Sequence, residues 1–146
     1  MHLVVIDLIP ALLSWEGRDF SREPAVAPGS EHAMHHIVER GRVVGVADAG
    51  IPTAALRRAL DDAHLGIFFE RITTSAGFGP VLSARVLRRM AAAVRISPER
   101  VVVVTARKHL VKPLNGSRFP VVMTSSDEFE RVPDALEALM AGRISP

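Results

Sequence analysis

Cysteine and tyrosine are both absent from this 146-residue chain, and one tryptophan with six phenylalanines makes an aromatic share of only 5%. Without cysteine there are no disulfides and no thiolate metal sites, a composition that suits a reducing compartment. With so few aromatics, the 48% of hydrophobic residues must build a core from Val, Leu, Ile and Ala. No apolar run approaches membrane-spanning length, so no membrane partner is expected. The opening apolar stretch carries Asp7 and has neither a basic flank nor a small-residue cleavage site. No leader is expected there, and the expected location is cytoplasmic. Lysine is scarce as well: 16 of the 18 basic residues are arginine.

What is present is unevenly charged. Residues 1–80 hold 7 Lys/Arg against 10 Asp/Glu, and residues 119–146 hold 2 against 5. Between them, residues 81–118 hold 9 basic groups against the single acid Glu99. Such a block can attract anions, an acidic protein or nucleic acid. It is equally a set of solvated arginines, and the solvated reading is favoured. Arg85, Arg88, Arg89 and Arg95 share one arc of a predicted helix, which fits either a phosphate or acidic-partner footprint or the wet side of an amphipathic helix. No aromatic residues interleave with them, so nucleic acid is disfavoured.

His2-Leu3-Val4-Val5-Ile6-Asp7 is an apolar, β-branched run closed by a lone carboxylate. That is the pattern of a buried parallel strand with an acid at its carboxyl end, the end where open α/β sheets bind ligands. From Ile9 to Gly29 no period is clear and Pro10, Pro24 and Pro28 intervene, which predicts a loop with at most a turn of helix. Ser30 is the predicted N-cap of a helix with Met34, Ile37 and Val38 on its apolar face and Gly41 as its stop. Arg42 to Ala47 reads as a second buried strand. Pro52 opens a helix in which Leu56, Ala59, Leu60 and Ala63 share a face. Arg71 to Thr74 is a short strand, and Ser83 caps a helix whose Val86, Met90 and Val94 face the core. Val101 to Val104 reads as a central strand covered on both faces, Pro120 to Met123 as a fifth strand, and Val132 to Met140 as a closing helix. The alternation predicts an α/β fold: a single Rossmann-like three-layer domain over residues 1–146, with a parallel sheet of about five strands and helices on both faces.

Val5-Ile6-Asp7-Leu8-Ile9-Pro10-Ala11-Leu12 resembles the opening strand and D-x-D-G-T-L loop of the haloacid dehalogenase superfamily of phosphohydrolases. Ala27-Pro28-Gly29, the helix running on to Arg40-Gly41, and Val44-Gly45-Val46-Ala47-Asp48-Ala49 are similar to that family's P-G…G-x-x-x-G-I-V-S-N segment. Phe68-Phe69-Glu70-Arg71-Ile72 with Ser75 and Gly77 looks like its Y-F-D-x-I…S…G segment. Ile96-Ser97-Pro98-Glu99-Arg100 and the four valines after it resemble the stretch leading into its G-D-x-x-x-D loop. The matches run in order along nearly the whole chain.

The resemblance implies a role for Asp7 as the nucleophile that attacks phosphorus. It also shows what this chain lacks. The second Asp, which protonates the leaving group, is replaced by Ile9, and losing a general acid–base alone costs about 10²–10⁴ in rate. The Ser/Thr that holds a phosphoryl oxygen falls on Ala47. The charge-neutralising Lys belongs near Gly79 to Leu82, where no Lys or Arg occurs. The acidic loop becomes Thr105-Ala106-Arg107-Lys108-His109-Leu110, with Ala106 and Leu110 in place of carboxylates. Four of five expected catalytic groups are gone. Mg²⁺ wants hard oxygen ligands, usually including one or two carboxylates, and Asp7 is the only acid left at the matched positions. Asp48, in place of an Asn, is a possible helper. The metal-free dehalogenases of the family still need the Ser, the Lys and a cap domain, and residues 9–29 leave room only for a minimal cap.

Asp7 then has two readings: nucleophile, or a strand-end carboxylate capping backbone N–H groups of the next loop, the latter favoured. Thr105, Arg107 and Lys108 either form a site for a small anion or are a loop drifted to ordinary surface residues. Trp15 and Phe20 either centre a contact surface or tuck back over the sheet. His32, His35 and His36 share a helical face that could bind a metal, but no acid or Cys completes a site. The leading expectation is a catalytically silent binding or regulatory module with no cofactor, contacting a protein partner at its open ligand edge. The alternatives are a Mg²⁺-dependent phosphatase using Asp7, and an anion- or nucleic-acid-binding module using residues 81–118.

Overall fold

The computed structural model describes every residue except 18, 49, 76–81 and 143–146. Ala49, Gly77 and the Gly79 to Val81 segment, all used in the motif matches above, therefore lie outside the described residues.

The apolar runs become the parallel sheet the pattern demands. Strand β1 (His2–Asp7) pairs in parallel with β4 (Gly41–Ala47) on one side and β6 (Val101–Thr105) on the other. Strands β5 (Arg71–Thr74) and β7 (Val121–Met123) flank them, giving the order β5-β4-β1-β6-β7. The middle strand is thus β1, not the four-valine strand. That strand is nonetheless buried along its whole length, because it too has neighbours on both sides.

Alternation along the strands feeds two cores. Val4, Ile6, Val102 and Val104 point to a layer made by helices α2 (Ser30–Val38), α3 (Thr53–Asp62) and α6 (Val132–Met140). Leu3, Val5, Val101 and Val103 point the other way, to α4 (Ala84–Ala93) and α5 (Val111–Gly116). In α4 the fully buried residues are Leu87 and Ala91; Val86, Met90 and Val94, expected at the centre of the face, flank them half-buried. Ser83 does cap this helix, its Oγ accepting the Val86 N–H at 3.2 Å.

Ser30 does not act as a cap: it is the first helical residue of α2, and Gly29 holds the cap position at φ +69°, a conformation that favours glycine. Val38, expected on the apolar face, is 38% exposed; Ala33, Met34 and Ile37 do the packing.

The segment after β1 is more ordered than its lack of period suggests. It holds the short α1 turn (Leu8–Ala11) and a small antiparallel hairpin of β2 (Leu13–Ser14) and β3 (Ala25–Val26). Leu8 seats directly on the sheet because residue 45 is glycine. A Cβ there would lie 2.9 Å from Leu8 Cδ1 and 3.2 Å from Phe69 Cδ1. That close seat sets where the chain leaves β1, and so where Asp7 points.

Candidate functional site

Strands β1, β4 and β6 end side by side at the carboxyl edge of the sheet, bringing Asp7, Asp48 and the Thr105–Arg107 segment together. Asp7 is 1% exposed. It does not cap the turn that follows: its side chain makes no capping hydrogen bond. Instead its Oδ2 accepts from Thr105 Oγ1 at 2.7 Å and from Arg107 Nε at 2.7 Å, while Oδ1 accepts from Arg107 Nη2 at 3.2 Å. The same Nη2 donates to Asp48 Oδ2 at 2.7 Å. The Arg107 backbone N–H donates to Thr105 Oγ1 at 3.0 Å, so one hydroxyl links strand end, loop and carboxylate. Asp48 Oδ2 also accepts the Leu82 N–H at 3.4 Å.

The electrostatics follow from burial. Loss of water pushes the Asp7 carboxyl above its ordinary pKa; the Arg107 guanidinium and Thr105 hydroxyl pull it back without fully offsetting that. Burial lowers the Arg107 pKa, but the bonds to Asp7 and Asp48 outweigh this and leave it above its ordinary value. A guanidinium matched to both oxygens of one carboxylate is the strongest pairing these side chains make.

Among the described residues, four positions matched to other catalytic groups are apolar and packed. Ala47 is fully buried, and Ile9, Ala106 and Leu110 lie half-buried against the two cores. Ile9 offers no proton. A divalent ion shared by Asp7 and Asp48 would need free carboxylate oxygens at about 2.0–2.1 Å. Here Arg107 already sits on oxygens of both acids with a positive charge of its own. The donor set does not fit Mg²⁺ as built.

No family model matches the chain, and no curated protein matches it in sequence. Solved structures do match. A haloacid dehalogenase-like family hydrolase from Xanthomonas campestris superposes with a TM-score of 0.69 at 18% identity, over 85% of this chain and 56% of that one. The chain therefore spans little more than half the length of that hydrolase. A HAD-superfamily hydrolase, subfamily IA, variant 1, from Geobacter sulfurreducens gives 0.68 at 10% identity over 92% and 99%. The chain has the haloacid dehalogenase-like fold. An uncharacterized protein from Listeria monocytogenes serotype 4b gives 0.74 at 13% identity, over 99% of this chain and 100% of that one.

The remaining candidates of this haloacid dehalogenase-like fold lie elsewhere. Lys108 is exposed, whereas Thr105 and Arg107, considered with it as an anion site, both bond inward to Asp7. Trp15 is tucked back: it is buried, its Nε1 donates to the Arg22 carbonyl at 2.8 Å, and Phe20 meets it edge-on at 5.4 Å. His32 and His36 stack edge to face at 4.7 Å, and His35 lies against Phe68 at 4.8 Å. Among the described residues no group of three or more His, Cys, Asp or Glu could hold a metal ion, and no helix is long and apolar enough to cross a membrane. What sequence reasoning missed is the inward turn of Arg107. The available signal was a buried strand-end acid with no partner in its own loop, and an arginine two residues past the neighbouring strand.

Proposed function

We propose that this haloacid dehalogenase-like domain does not hydrolyse phosphate esters and works as a binding or regulatory module. The observation that carries the reading is the Arg107 guanidinium, which engages both oxygens of Asp7 and one of Asp48. A carboxylate attacks phosphorus through a lone pair on a free oxygen, and both Asp7 oxygens are held by donors. An attack from Asp7 would break two charge-assisted bonds in a buried setting, with Ile9 unable to protonate the leaving group. Arg107 supplies internally the positive charge that a metal would bring, so the fold keeps its acid without a bound cation.

The test is turnover of p-nitrophenyl phosphate by the purified protein, with and without Mg²⁺, beside Asp7→Asn. The expected result is no rate above the blank in either protein. Magnesium-dependent turnover that vanishes in Asp7→Asn would overturn the proposal and establish a working phosphatase with Asp7 as nucleophile.

A further inference from the structure

The charge imbalance of the sequence becomes spatial in the fold. Helices α2, α3 and α6, on one side of the sheet, carry Glu31, Asp61, Asp62, Asp134 and Glu137 against Arg57 and Arg58. Helices α4 and α5, on the other, carry Arg85, Arg88, Arg89 and Lys112 and no acid. The turns that follow these two helices add Arg95 and Arg118, both exposed. Among the described residues none of these six cations takes part in an ion pair, whereas Arg22, Arg40, Arg42 and Arg107 do.

Backbone conformation adds an independent observation. Both helices end in the hydrogen-bond pattern that wants a left-handed residue just past the cap. Ile96 N–H reaches the Ala91 carbonyl and Arg95 N–H that of Ala92; Phe119 N–H reaches Leu114 and Arg118 N–H reaches Asn115. Glycine is the usual choice there. This chain places arginine at both, at φ +58° and +67°, a conformation that costs a bulky L residue stability. A cation at a helix C-terminus recovers part of that cost. The same conformation past the end of α3 holds His64 at φ +60°, so the strain is shared by three helix ends, but on the α4–α5 side both residues that bear it are cations, against the one acid Glu99 in the turn packed on α4.

Beside this face, where α5 meets the outer strand β7, lies an open groove of about 680 Å³ lined by Lys108, Val111, Lys112, Asn115, Gly116 and Met123. A groove that mixes apolar side chains with lysines suits an amphipathic segment with acidic groups. Single-stranded nucleic acid would want aromatic platforms, and among the described residues the large exposed hydrophobics include none; duplex DNA, held through its phosphates, is separated from a protein partner by experiment. We propose that the α4–α5 face docks an acidic, amphipathic segment of another protein, its carboxylates on the arginines and an apolar side chain in the groove beside Val111 and Met123. The surface is distinct from the Asp7 site and does not depend on whether that site is silent.

The experiment is fluorescence anisotropy with a labelled amphipathic peptide of glutamate and leucine, its Gln-for-Glu counterpart, and labelled duplex DNA. The glutamate peptide should bind, weaken steeply with added salt, and outcompete DNA; the glutamine peptide should not bind. Charge reversal at two exposed positions, Arg85→Glu with Arg89→Glu, should weaken binding at least about tenfold with an unchanged thermal melt. The pair Arg95→Gly with Arg118→Gly should also weaken binding while holding or raising the melting temperature, which a purely structural role would not produce. Tighter binding of DNA, peptide affinity indifferent to these substitutions, or self-association that the charge reversal abolishes would each overturn the proposal.

Discussion

Replacing Arg107 by alanine removes the only cation facing Asp7 among the described residues, and the consequence can be worked from the geometry. Asp7 is 1% exposed and would keep the Thr105 hydroxyl alone, having lost charge-assisted bonds of 2.7 and 3.2 Å. Breaking a buried pair by deleting one partner costs about 3–5 kcal/mol. The Arg107 side chain is 23% exposed, so water entering along its path re-solvates the acid and brings the loss to about 2–4 kcal/mol. For a chain of this size that is a fall in melting temperature of about 6–12 °C.

The pH dependence separates this loss from generic damage. The Asp7 carboxyl already lies above its ordinary value because burial outweighs its partners; without Arg107 it rises further. An acid with a raised folded value contributes fully below its unfolded value and loses that contribution as pH climbs through the folded one. The deficit of the variant is therefore widest at neutral pH and narrows as pH falls toward the ordinary carboxylate range. Urea titration of both proteins across that range is the assay. A neutral-pH deficit below about 1 kcal/mol, or one that does not change with pH, would refute the reasoning.

Thr105→Val keeps the shape of a fully buried residue but removes the hydroxyl that donates to Asp7 and accepts the Arg107 N–H; chemical denaturation should show a loss of about 1–3 kcal/mol. Gly45→Ala drives a methyl to 2.9 Å from the buried Leu8 side chain and should cost about 1–3 kcal/mol in the same measurement. Ser83→Ala removes the α4 cap and should lower stability by about 1 kcal/mol. Adding Mg²⁺ should raise the melting temperature of Arg107→Ala more than that of the unmodified protein, by about 1.4 kcal/mol of stability at tenfold excess over its dissociation constant; equal shifts in both would count against Arg107 as the resident cation.

The fold was legible because its main signals are local. Runs such as Val101 to Val104 can only be buried strands once helices recur between them, and Arg71–Thr74 and Val132–Met140 match their predicted spans. Errors arose where tertiary packing decides. The order of strands placed β1 in the middle, which no run of valines can signal. Leu87, not Val86, faces the core because α4 is rotated to present its small Ala91 to the sheet. Hairpin β2–β3 has strands of two residues, too short to show alternation. Asp7 itself was legible as a site residue from its position at a strand end. Its pairing with Arg107, 100 residues away, was only hinted at: a cation two residues past the neighbouring strand is the signal, but Lys108 stands beside it and local pattern does not tell which of the two turns inward.

The outermost strands of the sheet have a further consequence. β5 and β7 are only four and three residues long, while the valine-rich β1, β4 and β6 lie inside. A border that short gives a stray chain little backbone to zip onto. The segments best suited to runaway polymerisation are kept where no unpaired rim is exposed, so a molecule this rich in valine can stay dispersed when crowded.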